Sequence, residues 1–305
     1  IEIKNKSLQW RPDAPYTLNL SVAAGNPANA TFTAPRFEAP AETNGDIQTL
    51  ILTHWSRLNA SATLQQQVAE LAAHEAVKGV VIDLGGSDFT TELAPIYNAW
   101  DTHKDDPYYA NWVAAAIKAL IDAQRTAYPN LEHIVLIGGD EVIPFRRIPD
   151  EVTIANERDY AGRVADDSPT AASLREGYFL SDDYYAGFTP FPWRGREIFL
   201  PEYNIGRLVE SPAEIGQAID AFLQTPAITV QSAAVVGYDF MLDQAEAINR
   251  TLSNAGVTTA SLINDIWTKE QLSNLWLNQP HQLRAINAHF DHDRALPADQ
   301  YFSPN

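Results

Sequence analysis

Not one cysteine occurs among the 305 residues. Its absence excludes a disulfide framework, a thiolate metal site and a cysteine nucleophile within this stretch, and leaves the redox compartment open. Basic residues are also scarce, with 21 Lys and Arg against 39 Asp and Glu, a formal net charge of −18. Such a chain has little to release counterions from phosphate, which argues against a nucleic-acid partner. The acidity reads first as solubility; attraction of basic substrates needs a specific acid in a pocket. No apolar run is long enough to cross a bilayer, and no charged-then-apolar leader opens the chain. The start Ile1-Glu2-Ile3-Lys4 lacks an initiator Met and reads as an excision point, which keeps an excised signal peptide open.

What is present is a 45% hydrophobic chain, enough for one large core or two modest ones. Residues 1–45 are rich in Pro, Ala, Asn and Thr and read as a linker or the tail of a preceding β segment. From residue 46 onward, short apolar runs alternate with helical patterns. Ile47-Gln48-Thr49-Leu50-Ile51-Leu52-Thr53, Val77-Lys78-Gly79-Val80-Val81-Ile82-Asp83-Leu84, and His133-Ile134-Val135-Leu136-Ile137 are buried-strand candidates. Between them fall helices over 64–74 and 109–127. The stretch 144–212 is irregular, with a hairpin around 196–200. Ser211, followed by Pro212 and by Glu214 three positions on, has the spacing of a helix start with a capping box. A fourth strand over Ala233-Ala234-Val235-Val236 precedes a helix over 245–254. A fifth over Leu283-Arg284-Ala285-Ile286-Asn287-Ala288 exits into His289. Continuous apolar strands alternating with helices predict an α/β fold, with an open, mostly parallel sheet covered by helices on both faces.

Sites in such sheets form beyond the carboxyl ends of the strands. Four exits qualify: Asp83-Leu84-Gly85, Gly138-Gly139-Asp140, Tyr238-Asp239-Phe240, and His289-Phe290-Asp291-His292-Asp293. Gly138-Gly139-Asp140 lacks the Lys and Ser/Thr of a phosphate loop, and Gly25, Gly45 and Gly79 build no dinucleotide fingerprint, so no cofactor is implied. Its glycines let the strand turn sharply while Asp140 bonds backbone in the loop. The exit at His289 is the densest in titratable groups. An imidazole there can be a general base or acid beside a nucleophile on a neighbouring strand. Alternatively His289, Asp291, His292 and Asp293 resemble a zinc chelator, though few residues follow to complete a ligand set. His74, His103 and His133 lie on helix ends or approach loops and read as structural.

Several segments together resemble the gingipain-like family of bacterial, caspase-fold (clan CD) cysteine peptidases. They are Ile134-Val135-Leu136-Ile137-Gly138-Gly139-Asp140-Glu141-Val142-Ile143-Pro144, Ser181-Asp182-Asp183-Tyr184-Tyr185-Ala186-Gly187, Asn204-Ile205-Gly206-Arg207-Leu208, and the strand ending Ile286-Asn287-Ala288-His289. The resemblance runs from about residue 47 to the end, in order and spacing rather than in any single piece. It implies a caspase-like three-layer sandwich over 46–305 and a Cys–His dyad acting on peptide or protein substrates. The matching histidine is His289, flanked by Ala288 and Phe290 where the family has glycine, with His292 in reserve. The family's cysteine ends the next strand, so the stretch is expected to be truncated before its nucleophile and inactive alone, its partner being its own C-terminal segment. The resemblance further implies cleavage at basic residues, with Asp243 as the acid receiving the side chain and Asp239 second, in an extracellular or cell-envelope setting. Asp243 capping its helix is the structural alternative. A non-catalytic caspase-like binding or scaffold module and a metal-dependent hydrolase are the rival functions.

Overall fold

The computed structural model describes residues 33–153, 156–193, 196–291 and 294–295. The chain divides into two compact units, 1–33 and 34–305, and the architecture below is that of the second. It opens with β1 (Thr49–Thr53), α1 (Trp55–Leu58), α2 (Ala62–Ala73), β2 (Gly79–Asp83), α3 (Thr90–Thr102), α4 (Pro107–Arg125) and β3 (His133–Ile137). An excursion follows through β4 (Arg146–Pro149), a 3-10 turn at Glu157–Arg163, α5 (Pro169–Arg175), β5 (Tyr178–Ser181), α6 (Asp183–Ala186), β6 (Pro190–Trp193) and β7 (Arg196–Phe199). The chain then makes β8 (Asn204–Leu208) and α7 (Pro212–Gln224).

The strands β1, β2, β3 and β8 form a parallel sheet in the order β2-β1-β3-β8. Every residue of the central β1 is buried, because helices cover both of its faces. That is why Thr49-Leu50-Ile51-Leu52-Thr53 shows no polar alternation. Helix α2 packs with α7, and α3 packs with α4. The long α4 turns Val113, Ala116, Ile117, Leu120 and Ile121 inward, all essentially inaccessible to solvent. Helix starts follow their local chemistry. Asp106 caps α4 through the Tyr108 N–H, and Ser211 and Glu214 form the full capping box of α7.

A second, three-stranded parallel sheet contains β9 (Ser232–Gly237), β10 (Thr258–Ile263) and β11 (Leu283–Asn287), ordered β10-β9-β11. A 3-10 turn at Asp239–Met241, α8 (Leu242–Asn254) and α9 (Lys269–Trp276) connect the strands, and β12 (Phe290–Asp291) pairs antiparallel with β13 (Arg294–Ala295). Ala234, Val236 and Ala288 pack with Trp267, Leu272 and Leu275. Toward α8, a Cβ at Gly237 would stand 2.5 Å from that of Ala245, so only glycine allows this approach. Both sheets share one winding: the first strand lies between the second and the third.

The α/β fold, parallel strands and two-sided helical cover agree with the sequence. Two features differ. The strands predicted at 233–236 and 283–288 build a separate sheet instead of extending the first. Two parallel strands, β8 and β10, lie where none was expected, as do the short antiparallel pairs β4–β5 and β12–β13. Asn204-Ile205-Gly206-Arg207-Leu208 and Thr258-Thr259-Ala260-Ser261-Leu262-Ile263 are sheet-edge strands, polar or Gly-containing because one side is not enclosed.

Candidate active site

In a wound parallel sheet, the crevice for a ligand opens where successive connections leave the first strand in opposite directions. In the second sheet that point lies between β9 and β11. Their register pairs Gly237 with Asn287. Two residues beyond these partners stand Asp239 and His289, and the structure brings them together: His289 Nε2 lies 2.9 Å from Asp239 Oδ2. Equal offsets from paired positions on adjacent strands place the two groups opposite one another.

The supports of this pair are built from nearby backbone and aromatic groups. The Tyr238 N–H donates to the Asn287 carbonyl at 2.9 Å, and Asn287 Nδ2 donates to the Val236 carbonyl at 3.1 Å, tying the two strand exits together. Asp239 has φ 55°, a left-handed conformation that aspartate adopts more readily than most residues. Its N–H donates to Asp265 Oδ1 at 2.8 Å, which holds that turn. Trp267 is buried, donates Nε1–H to the Gly237 carbonyl at 2.9 Å, and meets the Tyr238 ring edge-on. The rings of Phe240 and Tyr238 meet the His289 imidazole edge-on, with centroids 5.1 and 6.3 Å away.

The side chains are 39% exposed for His289 and 59% for Asp239. An ion pair this exposed contributes about 0–1 kcal/mol, so stability gives little reason for it. Its chemical capacity is larger. With Nε2–H donated to the carboxylate, Nδ1 carries the lone pair and can accept a proton, and the imidazolium that results is held by Asp239.

Asp243 lies on the first turn of α8, exposed, its Oδ1 accepting the Gln244 N–H at 2.7 Å. The N-cap position itself is Met241, so Asp243 is not the capping residue. His292 and Asp293 lie outside the described residues, and Asp291 is placed only as a strand residue opposite Arg294. Among the described residues no three His, Asp or Glu side chains converge as a metal site.

The other exits are occupied by groups that satisfy one another. Asp140 is buried and makes a bidentate pair with Arg147 at 2.7 and 2.6 Å, while accepting from the Phe145 N–H and the Thr170 hydroxyl. Gly138 has φ 115°, and a Cβ there would fall 2.7 Å from Val142. Arg207 on β8 clamps Asp182 at 2.8 and 2.6 Å, donates to the carbonyls of Gly138 and Ile143, and lies over the Phe145 ring. Three of the quoted sequence segments therefore meet in one polar knot that fixes the β3 exit. Asp83 Oδ1 accepts the N–H groups of Trp55 and Gly85. His74 accepts the Ala76 N–H and His103 stacks on Tyr109, both local contacts, while His133 meets Asn204 across the β3–β8 pairing.

Two features escaped the sequence reading. One is the contact of Asp239 with the histidine; only the β9–β11 register reveals it. The other is His54, at the equivalent switch point of the first sheet. Burial, then the Arg57 charge, lower its pKa, and its ring meets Tyr97 edge-on. A Cβ on Gly85 would come within 2.5 Å of that ring, so any larger residue there would have to displace the imidazole.

No protein-family model and no curated protein sequence matches the chain. Two solved structures are similar in outline. One is described as a protease, with TM-score 0.44, 13% identity, and coverage of 85% of this chain and 48% of the other. The second is the Arg-specific cysteine proteinase gingipain R, with TM-score 0.48, 14% identity, and coverage of 87% of this chain and 51% of the other. The chain spans about half the length of the solved structures it matches.

Proposed function

We propose that this chain is the histidine-bearing portion of a gingipain-like cysteine endopeptidase, with His289 as general base and acid and Asp239 as its orienting partner. The nucleophile is a cysteine outside the 305 residues. The observation that carries the reading is the 2.9 Å contact between His289 Nε2 and Asp239 Oδ2 at the switch point of the second sheet. A free thiol near pKa 8.5 is mostly protonated at neutral pH, and an adjacent imidazole draws its proton. Nδ1 of His289 accepts that proton as the sulfur attacks the peptide carbonyl. It returns the proton to the leaving amine, and water then releases the acyl group. Asp239 stabilises the imidazolium between these events. With Asp239 engaged by the histidine, Asp243 is the acid for a basic side chain of the substrate.

Alkylation rates test this in the full-length protein. Iodoacetamide should modify a single cysteine at neutral pH, and His289→Ala should slow that modification at least about tenfold, because the thiolate fraction falls. An unchanged rate removes His289 from the mechanism. The absence of cysteine from all 305 residues favours a second reading, a non-catalytic binding or scaffold module of the same fold. A full-length polypeptide that contains no cysteine decides for that reading.

A further inference from the structure

Each polar member of the site is followed in sequence by an apolar side chain in open solvent. Phe240 after Asp239 is 68% exposed, Ile266 after Asp265 is 79% exposed, and Phe290 after His289 is 55% exposed. These three come from three different strand exits, yet they gather around one pair because Asp239 bonds both Asp265 and His289. The loops that present them are held in place. The Ile266 N–H donates to Asn264 Oδ1 at 3.0 Å, Trp267 anchors the next position to the Gly237 carbonyl, and the Met241 N–H closes the turn onto the Tyr238 carbonyl. Phe240 also keeps its ring edge-on to the imidazole, in contact with the candidate reacting group itself.

Held apolar side chains in water are costly, and exposed ones grouped one residue away from the members of a single polar site mark a contact surface. The contact of Phe240 with the His289 ring points to the occupant as the molecule on which that imidazole is proposed to act. We infer that Phe240, Ile266 and Phe290 form an apolar rim that receives an apolar side chain of the polypeptide substrate, next to the bond to be cut. This rests on the peptidase reading. Under it, the site takes a basic residue through Asp243 and selects in addition for a large apolar neighbour.

Fluorescein-labelled hexapeptide amides with a central Arg, carrying either Phe or Ser on both sides of it, test the rim. Binding is measured by anisotropy to full-length protein carrying His289→Ala, so that turnover does not interfere. The Phe peptide should bind at least about tenfold more tightly, the scale on which an apolar pocket discriminates. In Phe240→Ser/Ile266→Ser on the same background, and independently in Phe290→Ser, the ratio should fall toward one. A ratio near one before the rim is changed, or one unmoved by these substitutions, overturns the inference. So does a rim whose only effect is self-association, seen in sedimentation velocity as dimers that dissociate in the variants without any peptide preference. Parallel cleavage assays on the same peptides with His289 intact separate the two ideas. Binding preference without cleavage retains the rim and removes the peptidase, whereas cleavage without preference does the reverse.

Discussion

His289 and Asp239 meet 2.9 Å apart although fifty positions separate them in the chain, because each stands two residues past a paired position on neighbouring strands. The carboxylate holds one ring nitrogen and leaves the other for chemistry. Asp239→Asn keeps the shape and removes the charge that supports the imidazolium. Under the peptidase proposal, activity of the full-length protein should fall about 10²- to 10⁴-fold in kcat, with the circular dichroism spectrum unchanged. A loss under threefold would show that the contact is incidental.

Asp243 allows a sharper test of substrate choice. Under the same proposal, Asp243→Asn should reduce kcat/KM at Arg and Lys peptides at least about tenfold more than at a neutral peptide, since the proposed ionic contact to the substrate would be lost. Its place on the first turn of α8 carries a helix-dipole contribution of only about 0.3–1 kcal/mol, so unfolding in urea should move little. An equal loss for all peptides, accompanied by a stability loss above that range, would make Asp243 a helix residue alone.

Much of the fold was legible in the sequence, for a physical reason. Strands covered on both faces must be apolar throughout, and Leu50-Ile51-Leu52 or Ala233-Ala234-Val235-Val236 announce themselves. β10 did not, because only part of an edge strand is enclosed and Thr258 and Ser261 face water. The division into two sheets was hidden, since a strand carries no mark of which neighbours it will pair with. The position of His289 at a strand exit was readable from the run before it. Its partner was not, because partnership depends on register across a connection containing both α8 and α9. The same holds for Arg147 with Asp140 and Arg207 with Asp182: sequence showed the residues, and only packing showed the pairs.

The buried Asp140–Arg147 pair should behave as a desolvated ion pair, with side chains 7% and 0% exposed. Arg147→Met strands a carboxylate in the interior and should cost about 3–5 kcal/mol in denaturant unfolding. Asp140→Leu combined with Arg147→Met should cost less than Arg147→Met alone, because no charge remains buried. A double variant whose loss equals the sum of the singles would contradict the pairing.

Lys118 makes stability depend on alkaline pH. Its ammonium donates to the carbonyls of Tyr184 and Gly187 and lies over the rings of Phe199 and Tyr184, at 3.7 and 4.2 Å from their centroids. Burial first, and the nearby Arg146 charge second, lower its pKa to about 8, against opposing contributions from Glu202, Asp122 and Glu197. Unfolded, the amine keeps its proton up to about 10.5. Between these values the unfolded chain binds more protons, so this group's cost to the folded state is full below about pH 8 and relieved as pH rises to about 10.5. The stability of wild type relative to Lys118→Met should therefore increase across that window in urea titrations. A flat difference would mean that Lys118 titrates normally.

Hydrolysis of an Arg-containing peptide by the full-length protein, compared among wild type, His289→Ala and His292→Ala, bears most directly on the role of the second sheet's switch point. The expected result is a loss of at least about 10³-fold on His289→Ala, within the range for removing a member of a nucleophile–base pair, and activity within threefold of wild type on His292→Ala. Activity retained by His289→Ala would contradict the assignment outright.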